Sequence, residues 1–378
     1  MENKGPLHGI RIIEMAGLGP APLAAQLLAD LGADVITVDR KSGPVDPTDV
    51  SRRNKRSVAL NLKDPDGTRA CRRLIDGADV LIEGFRPGVM ERLGLGPQSC
   101  FETNPRLVYG RMTGWGQEGP WAKAAGHDIN YISLSGALNA VGHKDRPPVP
   151  PLNFFGDYGG GSMFLIFGVL AALLEREKSG QGQVVDAAMV DGVSAMMSMF
   201  YTMRARGAWS SEREANMLDG GAHFYRCYET KDGKAVSVGA IEPQFYAELC
   251  EKAGLPHDPP EVQYDKGAWP GLTEKFAEIF RQKTRDEWAA IFAGSDACVA
   301  PVLTIEESER HPHLSARDVV FRGEGEVLQA APAPRFARTP AGAVRSPCAQ
   351  GGDSADVLAE AGYSDAEIAE MTTRGVIT

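Results

Sequence analysis

Two short segments carry side chains able to move a proton. His127 stands in Gly126-His127-Asp128-Ile129-Asn130-Tyr131, immediately before the apolar-periodic run ISLSGAL. That places it at a predicted helix N-terminus, where the dipole opposes a positive imidazolium and leaves a base able to accept a proton. A histidine that only caps or packs locally would fit the same pattern. Thirty residues on, Asp157 stands in Asn153-Phe154-Phe155-Gly156-Asp157-Tyr158-Gly159-Gly160-Gly161-Ser162, again just before a helix. Glycines around one carboxylate remove side-chain bulk and bare backbone N–H groups, which is how a site stabilises a developing oxyanion. A helix cap on a glycine-rich turn is the plainer alternative.

A third segment, Arg52-Arg53-Asn54-Lys55-Arg56, places four basic residues in five within a chain of 40 Lys+Arg against 50 Asp+Glu. Such runs are usually solvated surface. The sharper reading is a site for a small polyanion, because a protein of net charge −10 must gather cations locally to bind phosphates. Arg40, at the end of a predicted strand, points to the same carboxyl edge of the sheet, where α/β folds bind ligands. The turn Gly17-Leu18-Gly19, with Asp39 some twenty residues later, invites a dinucleotide reading. Pro22 occupies the place of the third glycine, so a tight turn in an ordinary βα unit explains it better.

The elements that must hold these residues follow from periodicity. GIRIIEMA reads as a buried strand, PLAAQLLADLGA as an amphipathic helix and DVITVDR as a second strand. Strands at Ser57–Leu62, ADVLIEGF and LVYGRMTGWG, with a helix around Asp66–Asp76, continue the alternation and predict a parallel, doubly wound sheet. RPPVPP breaks the order. A long apolar helix, Met163 to Arg176, and the strand in GQGQVVDAAM follow it, and a β-hairpin turning at Lys231-Asp232-Gly233 opens a smaller unit.

The resulting expectation is an α/β fold. Residues 1–190 form a Rossmann-like large domain holding the candidate polyanion-binding and catalytic residues, and 191–222 a linker helix. Residues 223–312 form a smaller α+β domain, and 313–378 a return connection whose terminal helices rejoin the large domain. Met189, Met196 and Met203 recur every seven residues on one predicted helical face. They would suit a pliable surface for varied apolar groups, or equally an ordinary buried helix at an interface.

Composition excludes several classes. The acidic balance argues against nucleic acid or a membrane surface as partner. Six cysteines, no two closer than 23 residues, match neither a zinc site nor a disulfide framework, and no metal is expected. The N-terminal segment lacks a signal-type apolar core, the run Met163–Leu174 is too short to span a bilayer, and GVIT is no peroxisomal address. A soluble, cytoplasmic protein without membrane insertion is expected.

Across nearly its whole length the chain resembles the family III CoA-transferase (CaiB/BaiF) superfamily and, within it, the α-methylacyl-CoA racemases. The carriers are GPLHGIRIIEMAGLGPAP, LADLGADVITVDR, NKRSVALNLK, NPRLVYGRMTGWGQEGP, AGHDINYISLSGAL, PLNFFGDYGGGSM, GQGQVVDAAMVDG, NMLDGG, VGAIEPQFY, DACVAPVLT and PAPRFARTP. The resemblance implies an interlocked homodimer with each active site between the large domain of one subunit and the small domain of the other. It implies His127 and Asp157 as acid/bases, Asn153 beside Asp157, and Glu242 orienting the histidine. Arg40, the segment Leu60-Asn61-Leu62-Lys63 and the segment Gly126, His127, Asp128, Ile129, Asn130 and Tyr131 are the implied acyl-CoA contacts, with Arg52–Arg56 facing the CoA phosphates.

The implied reaction interconverts (2R)- and (2S)-2-methylacyl-CoA thioesters by 1,1-proton transfer through an enolate, with CoA part of the substrate and no other cofactor. The alternative is CoA transfer between carboxylic acids with Asp157 as nucleophile. His127 favours the first, because the superfamily's transferases generally lack it. Two departures stand out: Ala21 where Gly is common, and His223 in place of a frequent Pro.

Overall fold

The computed structural model describes residues 5–256 and 258–378, which fall into two compact units. The first unit comprises residues 1–135, 152–196 and 316–378. Its sheet has six parallel strands: β1 (Arg11–Met15), β2 (Asp34–Asp39), β3 (Arg56–Ala59), β4 (Val80–Glu83), β5 (Val108–Thr113) and β6 (Val184–Ala188). Their order is β3-β2-β1-β4-β5-β6, the doubly wound arrangement that the alternation predicts.

Alternate residues along each strand face opposite sides, so both faces must be covered. Ile13, Ile36, Val38 and Leu81 pack with Cys71, Leu74 and Ile75 of helix α2 (Pro65–Asp76). Ile12, Val35, Val80 and Ile82 pack with Ala24, Ala25 and Leu28 of helix α1 (Pro20–Asp30) on the other side. α2 begins where the Asp64 carboxylate accepts the Asp66 N–H at 2.8 Å, ahead of Pro65 at the first helical position. α1 begins differently. Its cap is Gly19 at φ 74°, a conformation that β-carbon sterics deny to other residues.

β3 is an edge strand, and the C-terminal segment covers it. Asp353 accepts the Ser57 N–H at 2.9 Å and Ser354 Oγ that of Ala59 at 3.1 Å, while Val357, Leu358 and Met371 enter the α2-side core.

Helix α3 (Asp128–Leu134) precedes a helix that starts as a π-helix, Phe154–Met163, and continues as α4 (Phe164–Ser179). Joined, they run 26 residues and contain an 18-residue stretch of mean hydropathy 1.5, enough by length and composition to cross a membrane, which the run Met163–Leu174 alone is not. The apolarity has an internal use, since Leu165, Val169 and Ala172 of α4 are buried in the core with β5 and β6.

The second unit comprises residues 136–151 and 197–315. Strands β7 (Tyr225–Glu229), β8 (Ala235–Gly239) and β9 (Val299–Pro301) form an antiparallel sheet. The β7–β8 turn carries Gly233 at φ 71°, with Thr230 Oγ1 donating to Asp232. The core is aromatic: Phe224, Tyr246, Phe276, Phe280 and Trp288 are almost wholly buried.

Buried among them is His223, whose Nε2 lies 3.0 Å from the Tyr246 hydroxyl. Residues 136–151, placed by sequence in the large domain, belong here instead, because Arg213 donates to the carbonyls of His143 at 2.9 Å and Arg146 at 2.7 Å. The 191–222 linker helix is also two helices. Met189–Met196, here α5, ends before Met197, and Ser198–Ala205 begins anew. Met189 and Met196 therefore share α5, the first buried and the second 42% exposed, whereas Met203 belongs to the next helix.

Candidate active site

His127 caps α3 in extended backbone (φ −132°, ψ 173°), and its N–H donates to Asn130 Oδ1 at 3.0 Å. The helix is seated by Tyr131. The ring packs where a Gly114 β-carbon would stand, only 2.1 Å away, and its hydroxyl donates to the Gly126 carbonyl. Trp115 lies edge-on to the same ring, with centroids 4.8 Å apart.

Asp157 sits in the first turn of the π-helix, a widened geometry common at functional sites. Asn153 Nδ2 donates to Asp157 Oδ2 at 3.3 Å. The glycines here serve packing more than spaciousness. A β-carbon on Gly160 would meet Val193 at 2.7 Å, and one on Gly192 of α5 would meet the Gly160 carbonyl at 2.0 Å. Nor are the first backbone donors of the turn free, because the N–H groups of Gly156 and Asp157 both donate to Asp128, at 2.6 and 2.8 Å. The oxyanion donors expected there are engaged internally.

His127 and Asp157 line one cavity of about 520 Å³ at the carboxyl ends of β4 and β5, together with Gly19, Trp115, Tyr131 and Met189. Burial pushes the half-buried Asp157 carboxyl above the usual aspartate range. The Asn153 hydrogen bond opposes this, the Asp128 charge adds to it, and His127 opposes it. Burial, with the nearby Asp157 and Asp128 charges, pushes the Tyr131 phenol up to about 12. A β-carbon on Gly19 would stand 3.6 Å from Asp157 Oδ2, so α1 presents its N-terminus to the carboxylate. Phe85 and Arg86 also line the cavity. Sequence reasoning passed over them, although Gly84-Phe85-Arg86-Pro87-Gly88 directly follows β4, at the strand end where α/β ligands bind.

A second cavity of about 480 Å³ is lined by Arg40, Lys41, Arg52, Lys55, Glu14 and Asp39 among others, and both cavities share Leu18. Arg40 is exposed at its rim. The basic run is another matter, since each of its cations is paired within the fold. Arg52 binds Asp39 at 2.7 Å, Arg53 binds Asp30 at 2.6 Å, Lys55 binds Glu14 at 2.7 Å, and Arg56 binds Asp34 and Glu360, each at 2.7 Å. Arg53 and Lys55 are nearly inaccessible, so the run is a set of structural clamps and not an open phosphate cradle. Asp39, held by Arg52 and by Ser57 Oγ at 2.6 Å, is likewise unavailable to a ribose, which removes the dinucleotide reading.

The remaining sites scatter. Leu60 is a core residue, Leu62 packs against that core, Asn61 Oδ1 accepts the Lys63 N–H at 3.1 Å, and Lys63 is exposed. None of the four lines either cavity. Ile129 and Asn130 are exposed on α3, whereas Asp128 is buried. Glu242 belongs to the second unit, at the N-terminal end of the helix Pro243–Ala253.

Comparison with known proteins adds kinship to this geometry. The profile of CoA-transferase family III matches residues 7–354. The α-methylacyl-CoA racemases of Mus musculus and Homo sapiens are each 44% identical over 98% of this chain and 97% of their own. A CaiB/BaiF family protein of Brucella suis has a solved structure that matches with TM-score 0.80 at 25% identity, covering 95% of this chain and all of that one. With a histidine and an aspartate facing one cavity at the carboxyl edge of a doubly wound sheet, and with the family profile matched over residues 7–354, the chain belongs to CoA-transferase family III.

Proposed function

We propose that this protein is an α-methylacyl-CoA racemase, interconverting the two epimers of 2-methylacyl-CoA thioesters. The observation that carries the reading is the placement of His127 and Asp157 on one cavity, in a chain 44% identical to two such racemases. A thioester α-proton is weakly acidic, and inversion requires a base on one face of the α-carbon and an acid on the other. Positioned acid/base groups contribute about 10²–10⁴-fold, and an oxyanion donor about 2.7–4 kcal/mol, so both are needed.

The His127 imidazole takes the proton in one direction while protonated Asp157 delivers one from the opposite face, and the roles exchange in reverse. Burial of Asp157 helps here, because it keeps the acid form accessible closer to neutral pH. With the Gly156 and Asp157 N–H groups engaged, the positive end of the α1 dipole is one favourable environment for the enolate charge.

In this reading the protein acts as a homodimer, Glu242 of the partner subunit orients His127, and Arg40 meets the phosphates of CoA at the second cavity. CoA is part of the substrate, and the proton transfer calls for no further cofactor.

CoA transfer through an aspartyl-CoA thioester on Asp157 is the second reading, favoured by the family's namesake chemistry. One experiment separates the two. The protein is incubated with a 2-methylacyl-CoA in D₂O without acceptor acid, and the α-position is followed by NMR. Deuterium uptake with epimerisation is expected. Absence of exchange, with CoA transfer once an acceptor acid is added, would establish the second reading instead.

A further inference from the structure

We propose that Asp128 is a positioning residue that locks the turn bearing Asp157 onto the helix bearing His127, and not a contact for coenzyme A. The inference rests on the racemase reading in taking His127 and Asp157 as the pair that moves the proton.

Asp128 follows His127 directly, yet its side chain turns away from solvent and is 6% exposed. One oxygen, Oδ2, accepts the N–H of Gly156 at 2.6 Å and of Asp157 at 2.8 Å, residues 28 and 29 places further along the chain. Hydrogen bonds to a carboxylate are about twice as strong as neutral ones, and here two converge on a single atom. Glycine at 156 permits the approach, since a β-carbon there would lie 2.7 Å from Oδ2 and 2.9 Å from Cγ. The first residue of the histidine helix thus grips the backbone of the aspartate itself. A shift of either element displaces both reacting groups, and displacements near 1 Å cost on the order of 10²-fold in rate.

The other oxygen, Oδ1, is buried and has no hydrogen-bond partner among the described residues. Leaving a buried acceptor unpaired is costly, and an apolar or neutral side chain would avoid that cost. What a neutral residue lacks is the charge. Asp128 is a like charge beside Asp157 and holds its carboxyl up, in the same direction as burial and against the Asn153 amide and His127. The Tyr131 phenol faces the same carboxylates. The clamp therefore fixes where Asp157 sits and helps determine when it is protonated.

The test compares the unaltered protein with Asp128→Ala, Asp128→Asn and Gly156→Ala, measuring epimerisation of a 2-methylacyl-CoA across pH. Asp128→Ala and Gly156→Ala are expected to lower kcat roughly 10- to 100-fold with KM changed less than about threefold. Asp128→Asn keeps an acceptor oxygen and should retain much of kcat, while the limb of the pH profile belonging to Asp157 moves to lower pH. A raised KM at unchanged kcat in Asp128→Ala would mark a CoA contact and overturn the proposal, as would an unmoved pH limb in Asp128→Asn. If Asp128→Ala fails to fold by circular dichroism, the other two variants decide the matter. Titration of ¹³C-labelled aspartates, with Asp157 assigned through Asp157→Asn, gives a substrate-free readout. Should the unaltered protein prove inert as a racemase, a downward shift of Asp157 in Asp128→Asn would still support the clamp, and no shift would refute it.

Discussion

Arg52–Arg56 and the His127–Asp157 pair both concentrate ionisable side chains, and the fold treats them in opposite ways. Every cation of the first region meets a carboxylate of the same unit, two of them in nearly inaccessible surroundings. The second region leaves a histidine and a half-buried aspartate facing a cavity of about 520 Å³. Charge density alone therefore says little about function. What distinguishes a site is an ionisable group whose partners within the fold are too few to satisfy it, beside a space that a ligand can fill.

The sharpest way to break this contrast is at the pair itself. His127→Ala and Asp157→Ala should each lower the rate of epimerisation by about 10²–10⁴-fold, with the thermal midpoint nearly unchanged. Full activity without His127 would remove the catalytic half of the comparison.

The basic run should respond in the reverse sense. Arg53→Ala strands the fully buried Asp30 carboxylate and is expected to cost about 3–5 kcal/mol in equilibrium unfolding, with KM for acyl-CoA within about twofold of the parent. A tenfold rise in KM at unchanged stability would restore the cluster as a phosphate site.

His223 tests internal satisfaction in the second unit. Burial pushes its imidazole down to about 4 from an ordinary 6.5. Between those values the unfolded chain holds a proton that the folded chain refuses. The contribution to stability is thus complete above about 6.5, falls as pH decreases through the window and levels off below about 4. The loss from pH 7 to pH 5 should reach about 2 kcal/mol, and His223→Phe should flatten that slope. Parallel slopes in the two proteins would show that His223 is not the group responsible.

The smallest effect is expected at Arg40, which is exposed and lines the second cavity without a side-chain ion pair among the described residues. Arg40→Ala should raise KM for acyl-CoA roughly threefold to tenfold, less at high salt, and leave kcat alone. An unchanged KM at low salt would mean that the second cavity does not receive the anion.

Much of the scaffold was legible before any coordinates. Buried strands alternating with amphipathic segments left little room for another fold class, and β1, α1 and β2 lie within three residues of where their patterns begin and end. The hairpin turn at Lys231–Gly233 was equally readable, because Asp-Gly at that spot has a local cause. Both chemistry-bearing segments were marked by local signals as well, a histidine before an apolar periodic run and an aspartate among glycines. Residues 136–151 were misassigned because their anchor, Arg213, lies some seventy residues away. The methionine stripe failed because one helix break at Met197 undoes a seven-residue repeat.

Amino-acid order alone settled which segments form the sheet, where the candidate histidine and aspartate stand and which kin the chain has, since these depend on local periodicity, side-chain chemistry and matched segments. Tertiary structure decided how each polar group is satisfied. It paired Arg53 with Asp30, Lys55 with Glu14, and Asp128 with the backbone of Gly156 and Asp157, partners 23 to 41 positions apart. A hydrogen bond or ion pair acts over a few ångströms of space whatever the separation along the chain. Whether a charge supports the fold or waits for a ligand is therefore decided only when the distant partners have met.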